Sequence, residues 1–236
     1  MTDIPRRLAA EAMGTALLVA AVVGSGIMAD RMTSDDAVAL IANALATGTI
    51  LVVLISVLGP VSGAHVNPAV SLVFALRREL RTADAGLYML AQIGGAIAGT
   101  LLAHAMFDLP LIALSQTIRT GPPQWLAEGV AAFGLVAVIL GGLKVDRTPV
   151  PWLVGLYITA AYWFTASTSF ANPAVTIGRA LTNTFSGIRP WEAPGFIAAQ
   201  VVGALLALVV AGLLWAHVTS GAERPRPRAG WTSSDS

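Results

Sequence analysis

Asn67-Pro68-Ala69-Val70 and Asn172-Pro173-Ala174-Val175 are the same four residues written twice, and each copy interrupts an uncharged apolar stretch. Asn is a favoured helix N-cap, and Pro is favoured at the first helical position, where no N–H is needed. Each copy therefore reads as the start of a helix, and that start lies inside a membrane-length apolar region. Paired breaks at matching positions of two halves point to a solute site in a membrane transport protein.

Composition supports this class. The chain has 236 residues, 56% of them hydrophobic and 11% charged, with a mean hydropathy of +0.73. Soluble domains carry about 25% charged residues. The net charge of +1 gives no footprint for nucleic acid. Without cysteine, neither a disulfide framework nor a Cys-based metal site or nucleophile can form. Met1 to Arg7 ends in Arg6-Arg7 and reads as the lead of a first span, not as a cleaved signal peptide.

The spans are read from gaps in charge. A membrane helix needs about 20 mostly apolar residues. Span one is expected from about Leu8 to Ala29, span three from Gly86 to Phe107, span four from Gln124 to Leu143, and span six from Glu192 to His217. No Asp, Glu, Lys or Arg occurs for 40 residues between Asp36 and Arg77, or for 31 between Arg147 and Arg179. Each gap fits one full span followed by a re-entrant half-helix. About ten residues of helix reach roughly 15 Å, half of a ~30 Å hydrocarbon core.

Two further echoes support a repeat. Leu8-Ala9-Ala10-Glu11 resembles Trp125-Leu126-Ala127-Glu128, and Ala91-Gln92-Ile93-Gly94-Gly95-Ala96 resembles Ala199-Gln200-Val201-Val202-Gly203-Ala204. The order span, span, half-span, span thus occurs twice, in repeats of about 8–107 and 124–217. Three full spans per half invert the second copy. The expected fold is an all-α membrane protein of six transmembrane helices and two re-entrant half-helices, one channel domain over 1–220, followed by a disordered tail over 221–236. One face would hold Arg6, Arg7, Arg77, Arg78, Arg81, Lys144, Arg147, Arg224, Arg226 and Arg228. The other would hold Arg31, Arg119, Arg179 and Arg189. This bias places both termini in the cytoplasm.

Two facing helix N-termini bring partial positive charge, about half an elementary charge each, to the pore centre and disfavour cations. As N-caps, Asn67 and Asn172 spend their side-chain oxygens on backbone N–H groups. Their amide NH2 groups are then expected to be free for a passing oxygen. Carbonyls of the approaches Gly63–Val66 and Ser169–Ala171 would supply acceptors, since irregular backbone at membrane depth lines a cavity or is buried in protein. Glu11 and Glu128 are the acidic residues well inside spans. They read as fixed acceptors for loop N–H groups in preference to proton-coupling groups. His65, grouped with Glu11 and Glu128 beside the pore loops, is either a satisfied loop histidine or a pore-lining donor or gate. His104 and His217 are expected at the interface, with Trp125, Trp152, Trp191 and Trp215 in an aromatic belt. Gly95-xxx-Gly99 permits close helix approach.

The run Ser62-Gly63-Ala64-His65-Val66-Asn67-Pro68-Ala69-Val70, the second Asn-Pro-Ala, and Glu11 and Glu128 resemble the aquaporin or major intrinsic protein family over about Leu8 to His217. The resemblance implies a right-handed six-helix bundle and a homotetramer with one pore per subunit. It also implies passive conduction of water or small neutral solutes in a bilayer, without cofactor or metal. Members of that family usually carry Arg after the second Asn-Pro-Ala; here the residue is Val175. The other positions of the family's narrow filter fall, by spacing, at Thr47, Ala160 and Ser169. Four small residues imply a wide, uncharged, mildly polar constriction. Losing Arg removes a multi-donor cation and an electrostatic barrier. Thr176 replaces an Asp frequent in glycerol channels. Arg179 stands where Pro is usual; an exposed or headgroup-facing side chain is favoured over one swung into the outer mouth.

This pattern resembles a bacterial branch of the family associated with arsenical-resistance genes. That branch implies passage of arsenite, methylarsenite or similar metalloid hydroxides. A pore without thiols fits trivalent arsenic. The expected location is the inner (plasma) membrane. Rival readings are a water-selective aquaporin, a gradient-coupled transporter using Glu11 or Glu128, and a junctional membrane protein. No nucleophile–base pair or metal cluster is visible in the sequence, which argues against an enzyme.

Overall fold

The breaks at the two Asn-Pro pairs divide the apolar chain as the repeat requires. The computed structural model describes residues 3–216, so His217 and the tail with Arg224, Arg226 and Arg228 lie outside the described residues. Among the described residues eight α-helices follow one another: α1 (Ile4–Met32), α2 (Asp36–Ser62), α3 (Pro68–Leu76), α4 (Thr82–Met106), α5 (Pro122–Val145), α6 (Val150–Phe164), α7 (Pro173–Ala180) and α8 (Ala193–Leu214). A 3-10 turn at Pro190–Glu192 leads into α8.

Local chemistry sets the ends. Asp3 and Asp35 cap α1 and α2 with their carboxylates, and Gly63 ends α2 in the left-handed region at φ 92°. Asn67 and Asn172, both extended, cap α3 and α7 with Pro at the first helical position. Among the described residues five helices are long and apolar enough to cross a membrane; the sixth span, α6, has 15 residues. It is shorter than the usual span because residues 165–171 leave the helix before the far interface, and such irregular backbone is tolerated where it faces a cavity or protein. The 9 residues of α3 and 8 of α7 reach about 14 and 12 Å, less than half a bilayer each.

The first four helices and the last four pack alike. α1 lies against α2 and α4, and α5 against α6 and α8; α2 meets α6 between the halves. Each half-helix rests on the final helix of both repeats, and α3 touches α7. Large apolar residues such as Val57, Leu90, Leu126 and Leu213 are exposed on the outside, as a lipid-facing surface requires. Trp125, Trp152 and Trp191 are exposed and Trp215 half-buried near helix ends.

The α1–α4 contact depends on a missing side chain. A Cβ on Gly95 would stand 2.2 Å from the Ala12 carbonyl oxygen, whereas one on Gly94 would meet nothing within 4 Å. In the second repeat a Cβ on Gly203 would stand 2.1 Å from the Gly129 carbonyl oxygen. Gly95→Ala is therefore expected to force the helices apart and destabilise the bundle by about 1–3 kcal/mol, the usual cost of overpacking. Thermal melting in detergent should show a clear loss for Gly95→Ala and none for Gly94→Ala.

Candidate functional site: a pore between two half-helices

The approaches to both Asn residues take the same backbone path. Gly63, Ala64 and Val66 have positive φ before Asn67, and Thr168, Ser169 and Ala171 have positive φ before Asn172. Counted back from each Asn, the positions are identical. Left-handed conformations are costly for Ala, Val, Thr and Ser, so surrounding contacts must hold them.

Two buried carboxylates supply those contacts. Glu11 accepts from His65 N at 3.0 Å, Val66 N at 2.6 Å and the Ser62 hydroxyl at 2.6 Å. Glu128 accepts from Phe170 N and Ala171 N, both at 2.9 Å. Gln92 donates to Glu11 at 2.7 Å and to Ser71 Oγ at 2.9 Å; Gln200 donates to Glu128 at 2.5 Å and to Thr176 Oγ1 at 2.9 Å. Each Gln thus braces its Glu against a half-helix. The sequence displayed Gln92 and Gln200 only as repeat echoes; their matching place in the two repeats was the signal for a shared role.

Asn67 Oδ1 accepts from Ala69 N at 2.9 Å, and Asn172 Oδ1 accepts from Ala174 N at 3.0 Å and Val175 N at 3.3 Å. Their amide groups are not wholly free, contrary to expectation. Asn67 Nδ2 donates to Ala171 O and Asn172 Nδ2 to Val66 O, both at 2.8 Å. Each amide also ties the opposite loop, which leaves one of its two N–H donors for the pore.

A cavity of about 500 Å³ runs past both Asn residues. Its walls are largely apolar, with Val22, Leu51, Ile55, Leu135, Val154 and Ile158 among them. Glu79 and Arg147 stand on its lining towards the face of the N-terminus, and Ser169, Val175 and Arg179 on the α7 side. His65 lines it too, with Nδ1 3.1 Å from Ser71 Oγ and its ring beside Phe74 and Tyr88.

The filter positions inferred by spacing divide. Thr47, Ser169 and Val175 line the cavity. Ala160 does not: it is exposed on the outside of α6, and the cavity-facing residue is Tyr162, whose hydroxyl is 3.0 Å from Thr47 Oγ1. Counting back from Asn172 crosses the irregular residues 165–171, so the count loses the helical phase of α6. The wall there is aromatic, not uniformly small. Arg179 also departs from the exposed orientation favoured by sequence. It is 1% exposed and lines the cavity, because Phe170 and the segment after α7 cover it. His104 is fully buried instead of interfacial, 2.6 Å from both Pro110 O and Thr182 Oγ1, where it secures the loop after α4.

Arg119, in the loop between α4 and α5, donates to Gly187 O at 2.8 Å and Ser167 O at 3.3 Å. Burial lowers its guanidinium pKa, with Glu128 and Tyr162 opposing; an arginine remains cationic at neutral pH.

Inverted halves whose half-helices meet across a cavity define a membrane channel. The major intrinsic protein family profile matches residues 2–148, more than half of the chain. The chain is 67% identical over 208 residues to the aquaglyceroporin AqpS of Rhizobium meliloti (strain 1021), covering 88% of this chain and 89% of that protein. It is 31% identical over 194 residues to the aquaporin NIP2-1 of Zea mays, covering 78% and 64% of the two chains. The X-ray structure of the aquaglyceroporin from Plasmodium falciparum superposes with a TM-score of 0.66 at 21% identity, covering 88% of this chain and 95% of that one, a likeness of fold. The chain belongs to the major intrinsic protein family. It is a multi-pass membrane channel and not an enzyme.

Proposed function

We propose that the channel passively conducts small neutral solutes: water, glycerol-like polyols, and metalloid hydroxides such as arsenite and methylarsenite. The observation that carries this reading is Val175 on the cavity wall, in the first turn of α7, with Thr47, Ser169 and Tyr162 as the polar residues along the same lining. Branched apolar and hydroxyl side chains accept an uncharged, polyol-like molecule without holding it as an ion. The Ser169 hydroxyl is buried with no partner among the described residues, a polar group that water or a solute oxygen in the cavity would satisfy. The name of the Rhizobium meliloti relative, an aquaglyceroporin, supports the polyol part.

In this reading Glu11 and Glu128 hold the loops and couple nothing. The functional unit is a homotetramer in the inner membrane with both termini cytoplasmic, in line with the excess of basic residues on the N-terminal face. Vesicles containing the protein should take up arsenite and methylarsenite faster than empty vesicles. Arsenical uptake equal to empty controls, with water flux retained, would remove the metalloid part and leave the water and polyol part standing.

A further inference from the structure

Of the charged residues on the pore lining, Glu79 and Arg147 are exposed and Arg179 is buried, and a neutral-solute channel does not explain a buried charge. The Arg179 side chain is 1% exposed, yet it makes no ion pair among the described residues. Its Nε donates to Ser186 O, its guanidinium stands 3.3 Å from the centre of the Phe170 ring, and Nη1 has no partner among the described residues. A buried cation without a counter-ion is costly unless water or a solute reaches it, and Arg179 lines the cavity. It stands four positions after Val175 on α7, so both lie on one helix face. The neighbouring Ser169 hydroxyl, also without a partner among the described residues, faces the same cavity.

The surroundings hold this guanidinium in place. Arg119 bonds Gly187 O and Ser167 O on either side of the α7 segment, and its own guanidinium lies 5.3 Å from the Phe170 ring. Phe170 in turn is fixed by its N–H on Glu128 and by edge contact with Phe196. Such a scaffold suits a group whose position matters more than its packing.

We propose that Arg179 is the charge-selecting residue of this channel: from one turn beyond Val175 it repels cations at the mouth opposite the N-terminal face and donates its free N–H to passing solute oxygens. Arg119 is a positioning residue that keeps Phe170 and the flanking loop against it. This inference rests on the neutral-solute reading above. A fixed unit charge beside a narrow, low-dielectric passage raises the barrier for a cation while leaving neutral molecules little affected.

The test uses proteoliposomes, with water flux as the control for a folded pore, and reads proton and sodium permeability under an imposed potential. Arg179→Met, which keeps length without charge, should raise cation permeability at least about tenfold relative to water permeability. Arg179→Lys should stay near wild type, and the double variant Val175→Arg/Arg179→Met should regain exclusion, a rescue that a purely packing role would not give. If Arg179→Met gives no water flux, Arg179→Gln replaces it in the same comparison. Unchanged cation permeability in a neutral variant that conducts water would overturn the inference alone. Wild-type vesicles without neutral-solute flux would overturn the neutral-solute reading and this inference with it.

Discussion

Glu128→Ala is expected to abolish channel assembly, the largest effect of any single change outside the helix contacts. The substitution leaves Phe170 N, Ala171 N and the Gln200 amide without their acceptor at membrane depth. Each buried unsatisfied group costs about 1–3 kcal/mol. Three of them together approach the whole stability of an ordinary domain, about 5–15 kcal/mol. Glu11→Ala should behave alike, since Ser62, His65, Val66 and Gln92 lose the same kind of partner. The expected result is aggregated protein after detergent extraction and no osmotic response in vesicles. Glu128→Gln retains a carbonyl acceptor and should fold with a lowered melting temperature while still conducting passively. A Glu128→Ala channel with wild-type melting behaviour would show that the carboxylate does not hold the loop.

Val175→Arg is expected to convert the pore from one that passes polyol-sized solutes to one that passes little beyond water. Val175 lines the cavity, and its backbone N–H already belongs to the Asn172 cap, so substitution alters the side chain and not the helix start. A guanidinium there would project among Thr47, Ser169 and Tyr162. It would fill space, add donors and stand one turn from Arg179, where two like charges repel. Urea and arsenite uptake should fall at least about tenfold, the equivalent of roughly 1.4 kcal/mol at the barrier, with water flux less affected. Equal loss of all fluxes would mean a folding defect, and no loss would mean that Val175 does not set the width.

Much of this architecture was legible in the sequence because membrane burial writes it plainly. Charge gaps locate spans within a few residues: α1, α4 and α5 extend the expected segments by two to four residues at each end, apart from the last residue of α4. The Asn-Pro starts are local capping chemistry and need no tertiary information. The site was less legible wherever a residue's role depends on contacts distant in sequence. Ala160 was placed by a count that runs through non-helical residues 165–171, and the wall residue is Tyr162. Arg179 read as a charge at a helix end, but Phe170 and Ser186 enclose it. The second use of the Asn amides depends on the opposite repeat, 104 and 106 residues away. No local pattern encodes that cross-link; only the inversion of the two halves brings the loops together.

The pore between α3 and α7 is proposed to conduct neutral solute passively. The most direct test is glycerol flux in proteoliposomes, followed by stopped-flow light scattering with proton and sodium gradients imposed and then collapsed. Rates well above empty vesicles, equal in both directions and unchanged when the gradients collapse, are expected. Glycerol rates at the empty-vesicle level, or rates that vanish with a gradient, would contradict passive conduction.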